Sequence, residues 1–442
     1  MGSKWIATFA ALSFAAGAGL AQAPRAVDTE LPETSNATPA ALLAPGEAPA
    51  PSVGATAPFV APGPVASIPS VVPAPGADRP DVFQTAAPAY DDSRFSVRAE
   101  YLLWFFKQSH VPMLFGSIPP SLANQTNFPA GSIAPVFGAN HDNIDYRGQS
   151  GGRFGVGYWF DKEQDLGLDV DYFQLDRGSL HASASSGPNG LPIIGPTFFD
   201  PVANRETIVL FSDPGVRAAN LNLSADSRFW GVEANFKRQL PAVFADHLEL
   251  LAGYRHVEFD ENLNIGGASI ATDPNGLSLA YIDTFFVHDR FDGPQIGLAS
   301  GFTYNRLFLN LKAKFAVGEL NETVRINGAT DFLGPTPSAS PGGILTQPTN
   351  MGRYSHTVFT FLPEITVNTG VQLTDHLRAF VGYNLIYLDK LQRAGSAIDG
   401  VDGTQIRALN LQPNMNATRP AFEFQDGRFW AYGLNAGLEF SF

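Results

Sequence analysis

The chain has 442 residues, a formal net charge of −14 and no cysteine. The lack of cysteine excludes disulfides, thiol nucleophiles and cysteine-bound metals. The excess of acidic residues argues against a nucleic-acid partner, whose phosphates require a basic surface. Only 16% of the residues are charged and 12% are aromatic, whereas about a quarter of a soluble domain is charged. This composition favours an apolar exterior around a small polar interior.

The N-terminus has the pattern of a signal peptide. Lys4 supplies a positive charge, and the apolar run at residues 5–20 is too short to span a bilayer as a helix. Small side chains at Gly19 and Ala21 suit cleavage after Ala21. We therefore predict that residues 1–21 are a signal peptide that directs export. A buried N-terminal helix is the alternative.

Residues 22–92 consist mainly of proline, alanine, glycine, serine and valine, without the periodicity of a helix or a strand. Dense proline interrupts helices and cannot donate hydrogen bonds to a sheet, so such segments are extended. We predict a disordered, proline- and alanine-rich periplasmic segment. Its expected role is either that of a spacer or that of a tether to the cell wall or to a periplasmic partner.

Between residues 93 and 442 the sequence alternates between apolar and polar residues in ten segments. This period of two is typical of strands with one face toward lipid and the other toward a lumen. No later stretch is long enough for a transmembrane helix, so a spanning structure must be a closed barrel. The ten predicted strands cover residues 95–105, 153–160, 166–172, 230–237, 248–255, 295–304, 307–318, 359–368, 377–387 and 430–442.

The links between these segments alternate between short and long, as in outer-membrane barrels with tight periplasmic turns and long external loops. We predict an all-β fold for residues 93–442, a transmembrane antiparallel up-and-down β-barrel of ten strands in the cell outer membrane. Twelve strands is the alternative, with two further strands in residues 108–149 or 179–223. A soluble barrel, which buries its apolar rows inside, is a third possibility.

The inward face of the predicted strands carries charges that nearly cancel. A wide lumen of this kind is a weakly selective pore, whereas a narrow one is closed by ion pairs; ten strands give a barrel only slightly wider than one that side chains fill. Lys312 and Lys314, with Asp169 and Asp171, either create a transverse field or simply form pairs. The predicted lumen-lining residues are Arg98, Glu100, Arg153, Asp169, Asp171, Glu233, Lys237, Glu249, Arg255, Lys312, Lys314, Glu364, Arg378 and Glu439.

Aromatic side chains are predicted to form two girdles at the headgroup depths, in contact with outer-membrane lipid. The terminal Phe442 also resembles the C-terminal aromatic residue that the barrel-assembly machinery reads, which makes that machinery an expected partner. The predicted girdle residues are Tyr172, Trp230, Tyr254, Tyr304, Tyr387, Trp430, Tyr432 and Phe442.

Motifs for enzymatic or metal chemistry are weak. The eight histidines are scattered without a nucleophile motif. The acidic turns at residues 273–276 and 399–403 lack the remaining ligands of a calcium loop. We therefore predict no catalytic, cofactor-binding or metal site, no cofactor and no enzymatic activity.

Several segments together resemble one known family, the planctomycete putative beta-barrel porins that carry the number seven, over about residues 94–442. Ala394 and Ser396 depart from the Arg-Pro-Gly-Asp-like stretch expected there, which affects only local loop structure. The resemblance implies an outer-membrane barrel named for its architecture, with no established substrate and no catalytic residues. The segments are residues 98–104, 110–114, 229–235, 251–255, 289–291, 293–297, 318–328, 380–384, 391–399 and 429–435.

The function expected from these patterns is that of a porin, which allows passive passage of small solutes or ions across the outer membrane. A non-conducting structural or surface-interaction barrel of the cell envelope is the alternative. A barrel enzyme is a third possibility, and it would need a catalytic group at the rim that the sequence does not reveal.

Overall fold

The computed structural model describes residues 93–442 except 126–127, 140–142, 275, 335–336, 411, 413 and 415. The segments predicted as signal peptide and proline-rich region therefore lie outside the described residues. Within the described part, no helix has the length and apolar character needed to cross a bilayer. Three short 3-10 turns are present, at Pro120–Leu122, Gly395–Ala397 and Gly403–Gln405.

The described residues form sixteen strands, which we number in chain order. They are β1 Phe95–Phe106, β2 Phe115–Ile118, β3 Ala134–Phe137, β4 Gly148–Trp159, β5 Leu166–Leu175, β6 Gly178–Ser185, β7 Ile193–Asp200, β8 Arg205–Ile208, β9 Arg217–Leu240, β10 His247–Ala271, β11 Ser278–Tyr304, β12 Leu307–Leu333, β13 Ser338–Pro341, β14 Gly352–Thr374, β15 Leu377–Leu391 and β16 Gly427–Ser441.

Ten strands form one closed antiparallel barrel, in the order β1, β4, β5, β9, β10, β11, β12, β14, β15 and β16. The barrel closes because β16 pairs with β1, from Ser96 opposite Ser441 to Phe106 opposite Ala431. Closure leaves no strand edge with unpaired backbone groups, which a bilayer would not tolerate. The prediction of a ten-stranded all-β barrel is confirmed.

The two loop regions considered for extra barrel strands have other structures. Strand β6 continues the line of β5 along β9, since Gln174 lies opposite Trp230 and Gly178 lies opposite Ser227. Strands β2, β3, β7 and β8 form a separate four-stranded sheet. Its buried Phe115 packs in the same hydrophobic core as the barrel residues. The twelve-stranded alternative is therefore wrong.

Short links connect the strands at one end of the barrel, which we call the short-turn end; the other is the long-loop end. The links at the short-turn end are residues 160–165, 241–246, 305–306 and 375–376. In the link of residues 305–306, Asn305 has a φ of 55°. This is a left-handed conformation that tight hairpins require and asparagine tolerates. The backbone N–H of Phe95 donates to the carbonyl of Phe442, so the described chain begins and ends at the short-turn end.

Five neighbouring strands are much longer than predicted. Strands β9, β10, β11, β12 and β14 contain 24, 25, 27, 27 and 23 residues. The link between β10 and β11, predicted as a long loop, is therefore only residues 272–277. These extensions were not predicted because the strands were identified by apolar side chains on the outer face. Beyond the membrane the outer face is polar and the inner face is mainly apolar.

This reversal is clearest along β12. Its outward side chains are apolar from Leu307 to Val317 and polar from Glu319 to Arg325. Its inward side chains change in the opposite sense, from Lys314 in the first part to the fully buried Val324 in the second. Eleven residues of a tilted strand match an apolar band of about 25 Å. We call this band the belt, and the remainder the long-loop half.

A charge introduced on the outer face tests this division. Leu311→Arg, in the middle of the belt, is expected to lower the free energy of unfolding by ~2–4 kcal/mol because the guanidinium meets lipid. Thr323→Arg lies on the same strand and face but beyond the belt, and its expected effect is within about 0.5 kcal/mol. Urea unfolding in lipid vesicles measures both. Equal destabilisation by the two variants would contradict the position of the belt.

Candidate functional site in the barrel interior

At the depth of the belt, the barrel interior is occupied by charged side chains in direct contact. Glu364 on β14 lies opposite Lys314 on β12, with Oε2 and Nζ 3.1 Å apart. The same carboxylate contacts Arg255 on β10 at 2.5 Å and Arg153 on β4 at 3.5 Å. Lys314 also contacts Glu233 on β9 at 2.6 Å. Since Arg255 and Glu364 are each 2% exposed, these are buried ion pairs rather than solvated lumen charges.

A second group of ion pairs lies beside the first, toward the short-turn end. Arg98 on β1 contacts Asp171 on β5 at 2.5 Å and Glu100 at 3.1 Å. Lys312 contacts Asp169 at 3.6 Å and Asp171 at 3.9 Å. Lys312 and the two aspartates, considered above as sources of a transverse field, are therefore ion-paired with one another.

The two groups form one layer, which we call the charge layer, with five cations and five anions. The equal numbers matter because an unpaired buried charge is very costly, whereas a paired one approximately offsets its desolvation. Amide side chains add hydrogen bonds: Gln295 donates to Asn235 at 2.7 Å, and Asn435 donates to Glu100 at 2.8 Å. The charge layer consists of Arg98, Glu100, Arg153, Asp169, Asp171, Glu233, Arg255, Lys312, Lys314 and Glu364.

A polar cavity of about 380 Å³ lies between the charge layer and the short-turn end. Lys237 lies on its wall with Nζ 3.9 Å from the centroid of the Trp159 ring. Most charge-layer side chains border this cavity. A separate space of about 10 Å³ lies beside Glu233 and Arg255, enough for roughly one water molecule. The remaining residues predicted to line the lumen all border the cavity: Lys237, Glu249, Arg378 and Glu439.

On the other side of the charge layer, six buried aromatic side chains pack together inside the barrel. Phe229 lies at their centre, and its ring centroid is 5.2–6.4 Å from those of the other five. Such distances suit tilted and edge-to-face packing. The Arg153 guanidinium lies 5.5 Å from the Trp104 ring and so connects the two layers. This aromatic layer consists of Trp104, Phe106, Phe173, Phe229, Phe259 and Phe429.

In the long-loop half, the buried carboxylate of Glu261 on β10 holds two segments inside the barrel. It accepts bonds of 2.9 and 2.6 Å from Arg393, one of 2.8 Å from the backbone N–H of Ala394 and one of 2.9 Å from Tyr146. Burial raises the pKa of Glu261, but Arg393 and these hydrogen bonds more than offset burial and hold the pKa below its usual value. The link between β15 and β16 is thus fixed to the opposite wall.

Asp283 on β11 holds the link before β14 in the same way. Its carboxylate accepts bonds from the backbone N–H groups of Ile344, Leu345 and Thr346 at 3.0–3.2 Å, and from the Thr346 hydroxyl at 2.5 Å. Burial raises the pKa of Asp283 to about 6. Because this pKa is still below neutral pH, the carboxyl group is mainly ionised at neutral pH and can accept all four bonds. Parts of both links therefore contribute to the packed interior.

The predicted girdle residues lie on the outer face of the belt and at its margins. Near the long-loop margin, the rings of Tyr172 and Trp230 are 6.1 Å apart, and Tyr387 lies opposite Trp430 in the β15–β16 register. The others are more exposed, and at the short-turn end Tyr304 is 75% exposed. The girdle residues with an exposed outer face are Tyr254, Tyr304, Tyr432 and Phe442.

Comparison with known proteins agrees with this geometry. A family model described as Putative beta barrel porin-7 matches residues 96–442. The chain belongs to this family. The family, together with the apolar belt, identifies an outer-membrane barrel, while the planctomycete origin that the resemblance implied remains a prediction.

Two solved barrels are among the chains similar to this porin-7 family member. The outer membrane protease OmpT from Escherichia coli is 12% identical, with a TM-score of 0.37, and the match covers 79% of this chain and 97% of that one. A FadL homologue from Pseudomonas aeruginosa is 10% identical, with a TM-score of 0.22, and the match covers 79% of this chain and 90% of that one. No curated protein matches the sequence.

The aromatic layer of this porin-7 family barrel was not predicted from the sequence, although the inward-facing residues of β1 indicate it. On β1, Trp104 and Phe106 share the parity of Arg98 and Glu100, which marks them as inward-facing. An inward run that changes from charged to aromatic indicates that the lumen is filled. The bond between Glu261 and Arg393 gave no such signal, because the two residues are 132 positions apart.

The charge layer can be tested by removing its most connected anion. Glu364→Gln is expected to lower the free energy of unfolding by ~3–5 kcal/mol, because Arg153, Arg255 and Lys314 lose their shared partner. Glu439→Gln, in the solvated cavity, is the matched control, with an expected change below about 1 kcal/mol. Urea unfolding followed by tryptophan fluorescence measures both. An effect of Glu364→Gln no larger than that of the control would contradict a buried, balanced layer.

The hold on the β15–β16 link can be tested by proteolysis. Arg393→Ala is expected to speed cleavage within residues 392–426 by more than about tenfold, since a detached loop is cut more readily. Arg419→Ala in the same link removes an exposed pair with Asp399 and should leave the rate almost unchanged. Cleavage sites and rates are read by mass spectrometry. Equal rates for the two variants would show that Glu261 does not hold this link.

Proposed function

We propose that this outer-membrane barrel is closed to free diffusion and serves the cell envelope as a structural or surface-interaction protein. The observation that carries the proposal is the aromatic layer, whose six buried rings pack against one another immediately beyond a charge layer with equal numbers of cations and anions. An open diffusion pore needs a continuous polar path. The described interior instead changes from ion pairs to close-packed rings.

The proposed orientation places the short turns in the periplasm and the long-loop half outside the cell, as is usual for such barrels. Phe95 and Phe442 then lie on the periplasmic side. In this arrangement the proline-rich residues 22–92 would act from the periplasm as a spacer or as a tether to the cell wall. The long-loop half, with its polar outer face, would be the surface offered to partners outside.

Passive passage of small solutes or ions is the second candidate, and two observations favour it. The family is named for porins, and the 380 Å³ cavity already forms a polar entrance at the short-turn end. Passage in this case would require displacement of the aromatic layer and the loops above it. We include no catalytic activity in the proposal.

Single-channel recording of the refolded full-length chain in a planar bilayer distinguishes the two candidates. The expected result is no discrete conductance, at high or low salt, from protein that is folded by its heat-modifiable migration in SDS gels. A variant with Phe229→Ala, Phe259→Ala and Phe429→Ala opens space at the aromatic layer and serves as the positive comparison for a leak.

Discrete steps from the wild-type chain would overturn the closed barrel. If their ion selectivity also changed in a Lys312→Glu, Lys314→Glu variant, the path would run through the charge layer and the passive pore would replace the first proposal. Unchanged selectivity would place the current elsewhere, for example between copies of the chain, and would equally contradict a pore lined by these lysines.

A further inference from the structure

A row of titratable side chains crosses three adjacent strands inside the long-loop half. Asp289 on β11 lies opposite Glu322 on β12, and Glu322 lies opposite His356 on β14. Asp426, immediately before β16, approaches the same histidine. These residues lie beyond the belt and take no part in the charge layer or the aromatic layer.

Three of these side chains converge on a single point. His356 Nε2 is 2.5 Å from Glu322 Oε2 and 4.0 Å from Asp426 Oδ1. One candidate ligand atom from each residue lies within 4.8 Å of the other two. Tetrahedral ligands at about 2.0–2.2 Å from zinc are roughly 3.3–3.6 Å apart. Small side-chain movements would therefore suffice to bring these atoms onto one ion.

The surroundings hold two of the three groups in place. The backbone N–H of Gln392 donates to Glu322 Oε1 at 2.9 Å, which leaves Oε2 directed at the histidine. The Phe424 ring stacks on the His356 ring with centroids 3.6 Å apart. Such outer contacts orient the ligands of metal sites and contribute to their affinity. Glu322 is fully buried whereas Asp426 is partly exposed, so an ion could enter from the Asp426 side.

A second observation is independent of this geometry. Asp289 is 1% exposed, and within the described residues neither of its carboxylate oxygens has a hydrogen-bond partner. A buried carboxyl group without a partner is rare and costly. Its register partner is Glu322, so this end of the row is short of positive charge. A divalent cation bound to Glu322 would supply that charge.

We propose that Glu322, His356 and Asp426 bind a divalent transition-metal ion, with Zn²⁺ as the best match. One imidazole nitrogen and two carboxylate oxygens suit zinc, whereas calcium and magnesium prefer oxygen ligands alone. The fourth position is left for water on the Asp426 side. The ion connects β12 and β14 to the segment before β16, and it thereby fixes the end of the long β15–β16 link to the barrel wall.

The test uses the full-length chain, refolded in detergent, treated with EDTA and dialysed against Zn²⁺ at fixed pH. The expected result is one Zn²⁺ per chain by elemental analysis, with affinity reduced more than tenfold in both His356→Gln and Asp426→Asn. The matched control is His288→Gln, because His288 forms a similar pair with Asp260 at 2.6 Å but has no third ligand. The control should bind as the wild type does.

The use of two site variants distinguishes loss of a metal ligand from misfolding of the chain. Asp426 is partly exposed in a loop, so Asp426→Asn should fold even if the His356 variant does not. Wild-type binding no greater than that of a correctly folded Asp426→Asn variant would overturn the proposal, as would equal loss in His288→Gln. Displacement of Zn²⁺ by an equal concentration of Ca²⁺ would overturn the assignment to a transition metal.

A second readout concerns the link itself. Bound Zn²⁺ should slow proteolysis within residues 392–426 severalfold in the wild type and in His288→Gln, but not in Asp426→Asn. Protection that is the same in all three proteins would mean that the ion does not join this link to the wall. Both readouts are independent of whether the barrel conducts.

Discussion

The bilayer requires that the outward side chains of every barrel strand be apolar at its depth, and the rest of the structure follows from this constraint. Side chains alternate along a strand, so the inner face at the same depth is left to the polar residues. The barrel is too narrow for these groups to be surrounded by bulk water. They therefore pair with one another, and the charge layer is the result.

Beyond the belt, water replaces lipid and the requirement is reversed. The outer face of β12 becomes polar after Val317, while its inner face beyond the belt carries the buried Leu320, Val324 and Ile326 beside the buried Glu322. A core inside the long-loop half then needs more apolar surface than the barrel wall alone supplies. Described parts of the links at 107–147, 342–351 and 392–426 fold inward and supply it. The buried carboxylate of Glu261 accepts the backbone N–H of Ala394, and that of Asp283 accepts the backbone N–H groups of residues 344–346. The two halves of one barrel thus follow opposite rules.

This reversal also explains how much the sequence could predict. The ten strand positions within the belt were predictable because lipid requires apolar outward side chains. On β12 each outward residue from Leu307 to Val317 is apolar. The continuation of β9 to β12 beyond the belt was not predicted. There the apolar side chains lie on the inner face, so a search for apolar outward side chains assigns these segments to loops. The membrane barrel was the better of the two alternatives, and only the apolar inner face of the long-loop half resembles a soluble barrel.

The candidate sites divide along the same line. Charges on the inner face of the belt could be named from parity alone, and the structure places Arg255 and Glu364 among them. The contacts of the long-loop half depend on chain segments far apart, such as Glu322 with His356 at 34 positions and Glu261 with Tyr146 at 115. No local pattern encodes such pairs, because they arise only when the barrel brings distant strands together.

The position of Arg393 has a consequence for assembly. Its partner Glu261 is on β10, while Arg393 itself follows β15, the ninth barrel strand, and its guanidinium also reaches Phe429 on the tenth. The interior of the long-loop half therefore cannot reach its final packing until β15 and β16 have joined the barrel. Until β16 meets β1, the apolar inner faces of β9 to β12 have no complete core. A chain interrupted before β15 would lack Arg393 and the buried residues of the 392–426 link, so the core above the membrane wall would be incomplete.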